Sequence, residues 1–158
     1  MPHPHNDRAW PWLILGGIVL ASIDAVFAVA FWSPRGVSAT QVFQSIAAGL
    51  LGDASFQGGA TTAWLGAALH YGIATAMVVV YFLFARRWRA LVRHPLGYGL
   101  PYGALLYLAM NLVVLPLSAA GMPKFNNLPW VGSSIAMHLL FGAICAFAAR
   151  RALRGRDS

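Results

Sequence analysis

Four apolar stretches, residues 12–32, 63–85, 100–119 and 130–149, decide what this chain can become. At about 1.5 Å of rise per helical residue, a run of about 20 residues crosses a hydrocarbon core of about 30 Å. The predicted fold is therefore all-α: an integral membrane four-helix bundle. Composition agrees. The chain is 59% hydrophobic and 9% charged, whereas a soluble domain carries about 25% charged residues. That excludes a soluble binding module. Four spans use roughly half of the 158 residues, so residues 1–158 are read as a single membrane domain with short connections.

The basic residues give the spans a direction. Arg8 precedes the first span, Arg86, Arg87, Arg89 and Arg93 lie between the second and third, and Arg150, Arg151, Arg154 and Arg156 follow the fourth. The other two connections hold only Arg35 and Lys124. By the positive-inside rule, both termini and the middle connection face the cytoplasm. The net charge of +7 thus reads as topology marking and contact with anionic lipid, not as a nucleic-acid surface. Arg8, the first apolar run and Ala28-Val29-Ala30 together resemble a cleavable signal peptide. The run is long for one, and Trp10, Trp12 and Trp32 stand where interfacial anchors of a retained span belong. His3 and His5 read as part of a solvated lead, and Cys145, the only cysteine, as a packing residue inside the fourth span.

Each span carries one buried polar residue: Asp24, His70, Asn111 and His138. All four stand seven or eight positions from the outward end, on the order of 12 Å deep. Ionisable groups at such depth face the protein interior, so the four are expected to converge in one layer. Their helical neighbours agree. Gly17, Ala21, Ala25 and Ala28 share a face with Asp24, and Ala63, Gly66, Ala67, Ala74 and Met77 share one with His70. Gly99, Gly103, Tyr107 and Val114 accompany Asn111, and Ser134, Phe141, Gly142 and Cys145 accompany His138. Small residues in such stripes permit close helix approach. Pro116 removes the bond its amide would make to Leu112, which predicts a kink near Asn111.

Between the first two spans, residues 38–52 read as a short amphipathic helix capped by Ser38 and ended by Gly49 or Gly52. Its expected apolar side is Val42, Phe43, Ile46, Ala47, Leu50 and Leu51, with Gln41, Gln44 and Ser45 opposite. It is expected on the outer surface or as a lid over the polar layer. A two-fold internal repeat is also suggested, because placing Gly16 over Gly103 puts Asp24 over Asn111, each followed by a helix with a histidine. That arrangement would be two parallel two-helix repeats.

The strings Val42-Phe43-Gln44-Ser45-Ile46-Ala47-Ala48-Gly49-Leu50-Leu51-Gly52, Phe56-Gln57-Gly58-Gly59 and Met110-Asn111-Leu112-Val113-Val114-Leu115-Pro116-Leu117-Ser118 carry a resemblance. They look like a bacterial family of small four-helix inner-membrane proteins of unassigned function, allied to the YagU-like membrane proteins. The resemblance spans most of residues 13–150. It implies the same architecture and the bacterial inner membrane, and it brings no catalytic residues with it.

Three readings of the polar layer are open. It could be purely structural. Interhelical hydrogen bonds contribute about 0.6 kcal/mol on average and at most about 1.7, against at least about 2.5 for inserting a carboxylate, a mismatch that favours a function. Asp24, His70, Asn111 and His138 could form a proton-linked or small-ligand site in a small transporter, channel or sensor, since aspartate and histidine pass protons near neutral pH. So small a chain would then need a homo-oligomer or a membrane-protein partner beside the lipid bilayer. Finally, His70, His138 and Asp24 are a metal-ligand set, and His70 with His138 could be axial haem ligands. No His-x-x-x-His or Cys-x-x-Cys spacing supports that, and no cofactor is the simpler expectation. Hydrolytic motifs are missing and glutamate is absent from the sequence, so an enzyme is the less favoured reading.

Overall fold

A computed structural model describes residues 9–154. His3, His5, Arg8 and Arg156, used above for the lead and for the charge count, lie outside the described residues. All regular structure among the described residues is helical. In chain order the elements are α1 (Trp10–Trp32), α2 (Ala39–Leu51), α3 (Gly59–Arg87), α4 (Ala90–Arg93), α5 (Pro95–Ala109), α6 (Leu115–Leu117) and α7 (Leu128–Arg154). A π-helical turn, Met110–Val114, joins α5 to α6 into one span. With α1, α3 and α7 it makes four helices long and apolar enough to cross a membrane. The chain is a multi-pass, all-α membrane bundle.

The helices outrun the apolar stretches at their basic ends. α7 continues through Arg150 and Arg151 to Arg154, and the third span begins at Pro95 rather than residue 100. A helix backbone is indifferent to where lipid gives way to headgroup, and Pro95 sits in the first turn, where its missing N–H removes no intrahelical bond.

Packing is uneven along the bundle. Towards the basic end, α1, α3 and α7 pack tightly around Leu13, Val78, Tyr81, Ala85, Cys145 and Ala149, each at most 2% exposed. Glycines set the spacing there. Gly17 faces Thr75 across α1 and α3, and Gly99, Gly103 and Gly142 bring the backbones of α5 and α7 into direct contact. A Cβ on Gly99 would stand 2.8 Å from the Gly142 carbonyl oxygen, nearer than carbon approaches oxygen in a relaxed structure. Across the core, the Tyr102 hydroxyl donates to the Met77 carbonyl at 2.8 Å. Above Leu20, Ala74 and Phe141, which belong both to this core and to the wall of a cavity, the spans part.

Helix α2 lies against α3 at the parted end. Ser38 and Gln41 form the capping box that starts it: the Gln41 amide donates to Ser38 Oγ at 3.2 Å, and the Ser38 amide donates to Gln41 Oε1 at 2.9 Å. Gly52, at φ 59°, ends it. The helix is amphipathic, as expected: Val42 and Ala47 are buried and Gln41 and Ser45 exposed, while Gln44, Leu50 and Leu51 depart from the expected faces. Gln44 is buried, donating to the Gly59 carbonyl at 3.0 Å and to Thr62 Oγ1 at 3.3 Å, while Leu50 is 63% exposed. The Gln44, Ala47 and Ala48 side lies on α3, where Gly66 lets the Phe43 carbonyl approach. The Val42, Phe43, Ile46 and Gly49 side faces the cavity.

Candidate functional site

The four residues singled out by depth line one cavity of about 690 Å³. Asp24 comes from α1, His70 from α3, Asn111 from the π turn and His138 from α7. Gln41 and Ser45 of α2 line the same space. Aromatic and thioether groups supply much of the remaining wall, among them Phe43, Phe56, Trp130, Met77 and Met110.

Asp24 and His70 are neighbours. His70 Nε2 lies 2.9 Å from the Ala21 carbonyl oxygen and 3.9 Å from Asp24 Oδ2. A carbonyl only accepts, so Nε2 carries the hydrogen, and in the neutral ring Nδ1 keeps the lone pair. The Asp24 contact is longer than a hydrogen bond. Its side chain is 30% exposed, against 12% for His70, and that exposure falls within the cavity wall. The edges of Phe43 and Tyr71 fix the His70 ring, and Tyr71 in turn shares a 3.0 Å hydroxyl contact with Ser22 on α1. Residues 21–24 and 70–71 thus form one interhelical polar joint. Neither Ser22 nor Tyr71 was singled out from the sequence; the signal was available, since both lie within two positions of a flagged residue.

The other two residues satisfy part of their polarity on their own helices. Asn111 Nδ2 donates to the Tyr107 carbonyl at 2.9 Å, and His138 Nδ1 donates to the Ser134 carbonyl at 2.8 Å. In neutral His138, Nε2 is therefore the nitrogen able to accept a proton or a ligand. The Tyr107 ring packs edge-on against His138 at 5.4 Å, with Phe141 on another side at 5.2 Å. Tyr107 thereby links Asn111 to His138. Asn111 owes its position to the π turn. Pro116 lacks the amide that would bond to Leu112, and the extra residue in the turn absorbs the missing register. A π-helical turn stands where the kink was expected.

Metal ligation finds little geometric support. Among the described residues no three of His, Cys, Asp and Glu are grouped to hold a metal ion. His138 has the arrangement of a ligating histidine, its Nδ1–H held by a backbone carbonyl. His70 does not offer the matching atom. Axial haem ligation by both rings through Nε2 requires His70 to release the Ala21 carbonyl.

Two sets of contacts order the walls at the α2 end. The Ala119 amide, just past α6, donates to the Gly49 carbonyl at 2.9 Å, latching α2 to the third span. On the opposite wall, Trp130 stacks on Phe27 at 5.5 Å and meets Phe31 at 4.9 Å and Trp32 at 5.2 Å. Arg35 caps this cluster, its guanidinium 4.0 Å from the centre of the Phe31 ring and bonded to the Phe31 carbonyl.

Comparison with protein-family models, curated proteins and solved structures finds no match for this chain. The functional reading therefore rests on the cavity and its walls.

Proposed function

We propose that this protein sits in the bacterial inner membrane with both termini in the cytoplasm, and that its outward cavity takes a small amphipathic ligand whose binding is linked to protons. The observation that carries this reading is the meeting of Asp24, His70, Asn111 and His138, one from each span, on a single cavity under α2. About 690 Å³ lies within the usual range for small-molecule sites, roughly 300–1,000 Å³. The wall is mostly apolar and aromatic, with few polar groups, the pattern that orients a ligand without a large desolvation penalty. Asp24 supplies negative charge beside aromatic faces, which suits a ligand with a positive charge or a strong donor. His70 and His138 line the same cavity, and a proton taken up by either ring competes with such a ligand. Orientation follows the arginine distribution. Kinship with the small four-helix inner-membrane family belongs to the same proposal and is supported by the strings around residues 42–59 and 110–118.

The test uses tetraphenylphosphonium as a lipophilic cation and Nile red as a neutral probe, with protein in nanodiscs and tryptophan fluorescence as readout, since Trp32 and Trp130 line the cavity. The cation is expected to bind saturably and more weakly as the pH falls from 8 to 5, because protons compete with it for the polar groups of the cavity. Asp24→Asn keeps the size of the side chain but cannot ionise. It should weaken the cation at pH 8 roughly tenfold, about 1.4 kcal/mol, and leave Nile red unchanged. Identical cation binding by both forms across the range would return the layer to a structural role.

A further inference from the structure

The opposite end of the bundle carries a second concavity, of about 380 Å³, walled by Arg89, Val92, Arg93, Arg150, Leu153 and Arg154. Two chain segments build it, the α4 turn and the last turns of α7. Each contributes two arginines four residues apart, a spacing that puts a pair on one helical face. The Arg93 amide bonds back to the Arg89 carbonyl, so the first pair does stand on one turn. Val92 and Leu153 are 8% and 2% exposed and belong to the core. The Tyr81 hydroxyl donates to the Leu91 carbonyl at 2.9 Å and pins α4 to α3. Apolar packing thus fixes the segments that carry the four guanidinium groups around one hollow.

We infer that this hollow binds the phosphate headgroup of an anionic phospholipid. The guanidinium fork pairs with phosphate oxygens two at a time, and the forks of Arg93, Arg150 and Arg154 on two walls exceed what one exposed lysine or arginine offers. Trp10, Trp12 and Trp88 stand largely exposed at the same end, and Arg151 lies 5.8 Å from the centre of the Trp12 ring. Exposed tryptophans mark the headgroup level of a bilayer, which brings the hollow to the depth of lipid phosphates. Basic hollows between spans at that level recognise lipid headgroups. A free phosphate ion shares the chemistry but has no reason to be presented at that depth. The inference is independent of the outward cavity and of its ligand.

Native mass spectrometry of the full chain, released from detergent, tests it with phosphatidylglycerol, phosphatidylcholine and inorganic phosphate as probes. Phosphatidylglycerol should be retained roughly tenfold over phosphatidylcholine. Arg93→Gln with Arg154→Gln, one change on each wall, should bring that ratio to within about twofold, whereas Arg86→Gln with Arg87→Gln, which removes equal charge outside the hollow, should keep it. Equal losses in both double variants would assign the preference to general surface charge and overturn the site. A lack of preference in the unaltered chain would overturn it with no variant needed. So would saturable binding of inorganic phosphate without discrimination between the lipids, which would make the hollow a free-anion site. If the double glutamine variant does not fold, Arg93→Lys with Arg154→Lys decides. Charge alone would then hold the full ratio and refute a fork-specific pocket, while a drop of severalfold would support it.

Discussion

A methyl group on Gly142 would overlap the Gly99 carbonyl oxygen and the Gly103 backbone, and none of these atoms can turn aside as a flexible side chain would. At Gly72, by contrast, nothing stands within 4 Å of where a Cβ would be. The two glycines therefore predict opposite responses to the same substitution. Gly142→Ala should destabilise the bundle by at least about 2 kcal/mol, because α5 and α7 must separate. Gly72→Ala should be neutral or stabilising by up to about 1 kcal/mol, from helix propensity alone. Unfolding titrations in mixed micelles would measure both. Equal effects would mean that the α5–α7 approach contributes nothing to stability. The sequence marked Gly142 and Gly103 as members of small-residue faces, and that reading was sound, since a stripe of residues without side chains has few uses other than close approach.

At the scale of elements, α2 is the part whose function is easiest to interrogate. A Cβ on Gly49 would lie 3.9 Å from Ser118 Cβ, inside the roughly 3.5–4.5 Å window for a disulfide. The double variant Gly49→Cys/Ser118→Cys should oxidise readily and fasten α2 to the end of the third span, since Cys145 is buried elsewhere. The oxidised form should take up the cavity probes at least about tenfold more slowly, with recovery on reduction. Equal uptake rates in both forms would show that entry does not pass α2. The capping box was legible from Ser38 and Gln41, as was the existence of the helix. The inward side was legible only in part: Val42, Phe43 and Ile46 do face the cavity, but the places of Gln44 and Leu50 were not legible. The usual guide, that apolar means buried, presumes water outside. Where lipid is the solvent, an outward Leu50 loses nothing, whereas Gln44 needs partners and finds them on α3. The π turn was hidden for another reason. Pro116 announces a missing hydrogen bond, but whether the chain bends, tightens to i−3 or widens to i−5 depends on neighbours the sequence does not order.

The whole molecule is a bundle packed at its basic end and opened at the other, with the polar residues at the boundary between the two regimes. Their convergence was legible because a carboxylate or imidazole in an apolar span has only the interior to turn to. Their pairing was not, since depth says nothing about azimuth: Asp24 meets His70, while Asn111 and His138 communicate through Tyr107. Orientation gives the prediction at this scale. Cysteine at Lys124 should react with an impermeant maleimide in intact cells, and cysteine at the exposed Trp88 only after the membrane is opened. The reverse pattern would place the cavity on the cytoplasmic side and leave its geometry unchanged.

The latch between Ala119 and Gly49 also orders events during synthesis. Helix α2 leaves the ribosome well before residue 119, after only the first span has been made. Until the third span is complete, the Gly49 carbonyl lacks the partner it has in the finished protein, and α2 has α3 but no second wall. A nascent chain holding two spans thus has half a cavity and an unfastened roof. The cavity takes its final walls late, by the chain's own progress, and until then α2 is held from one side alone.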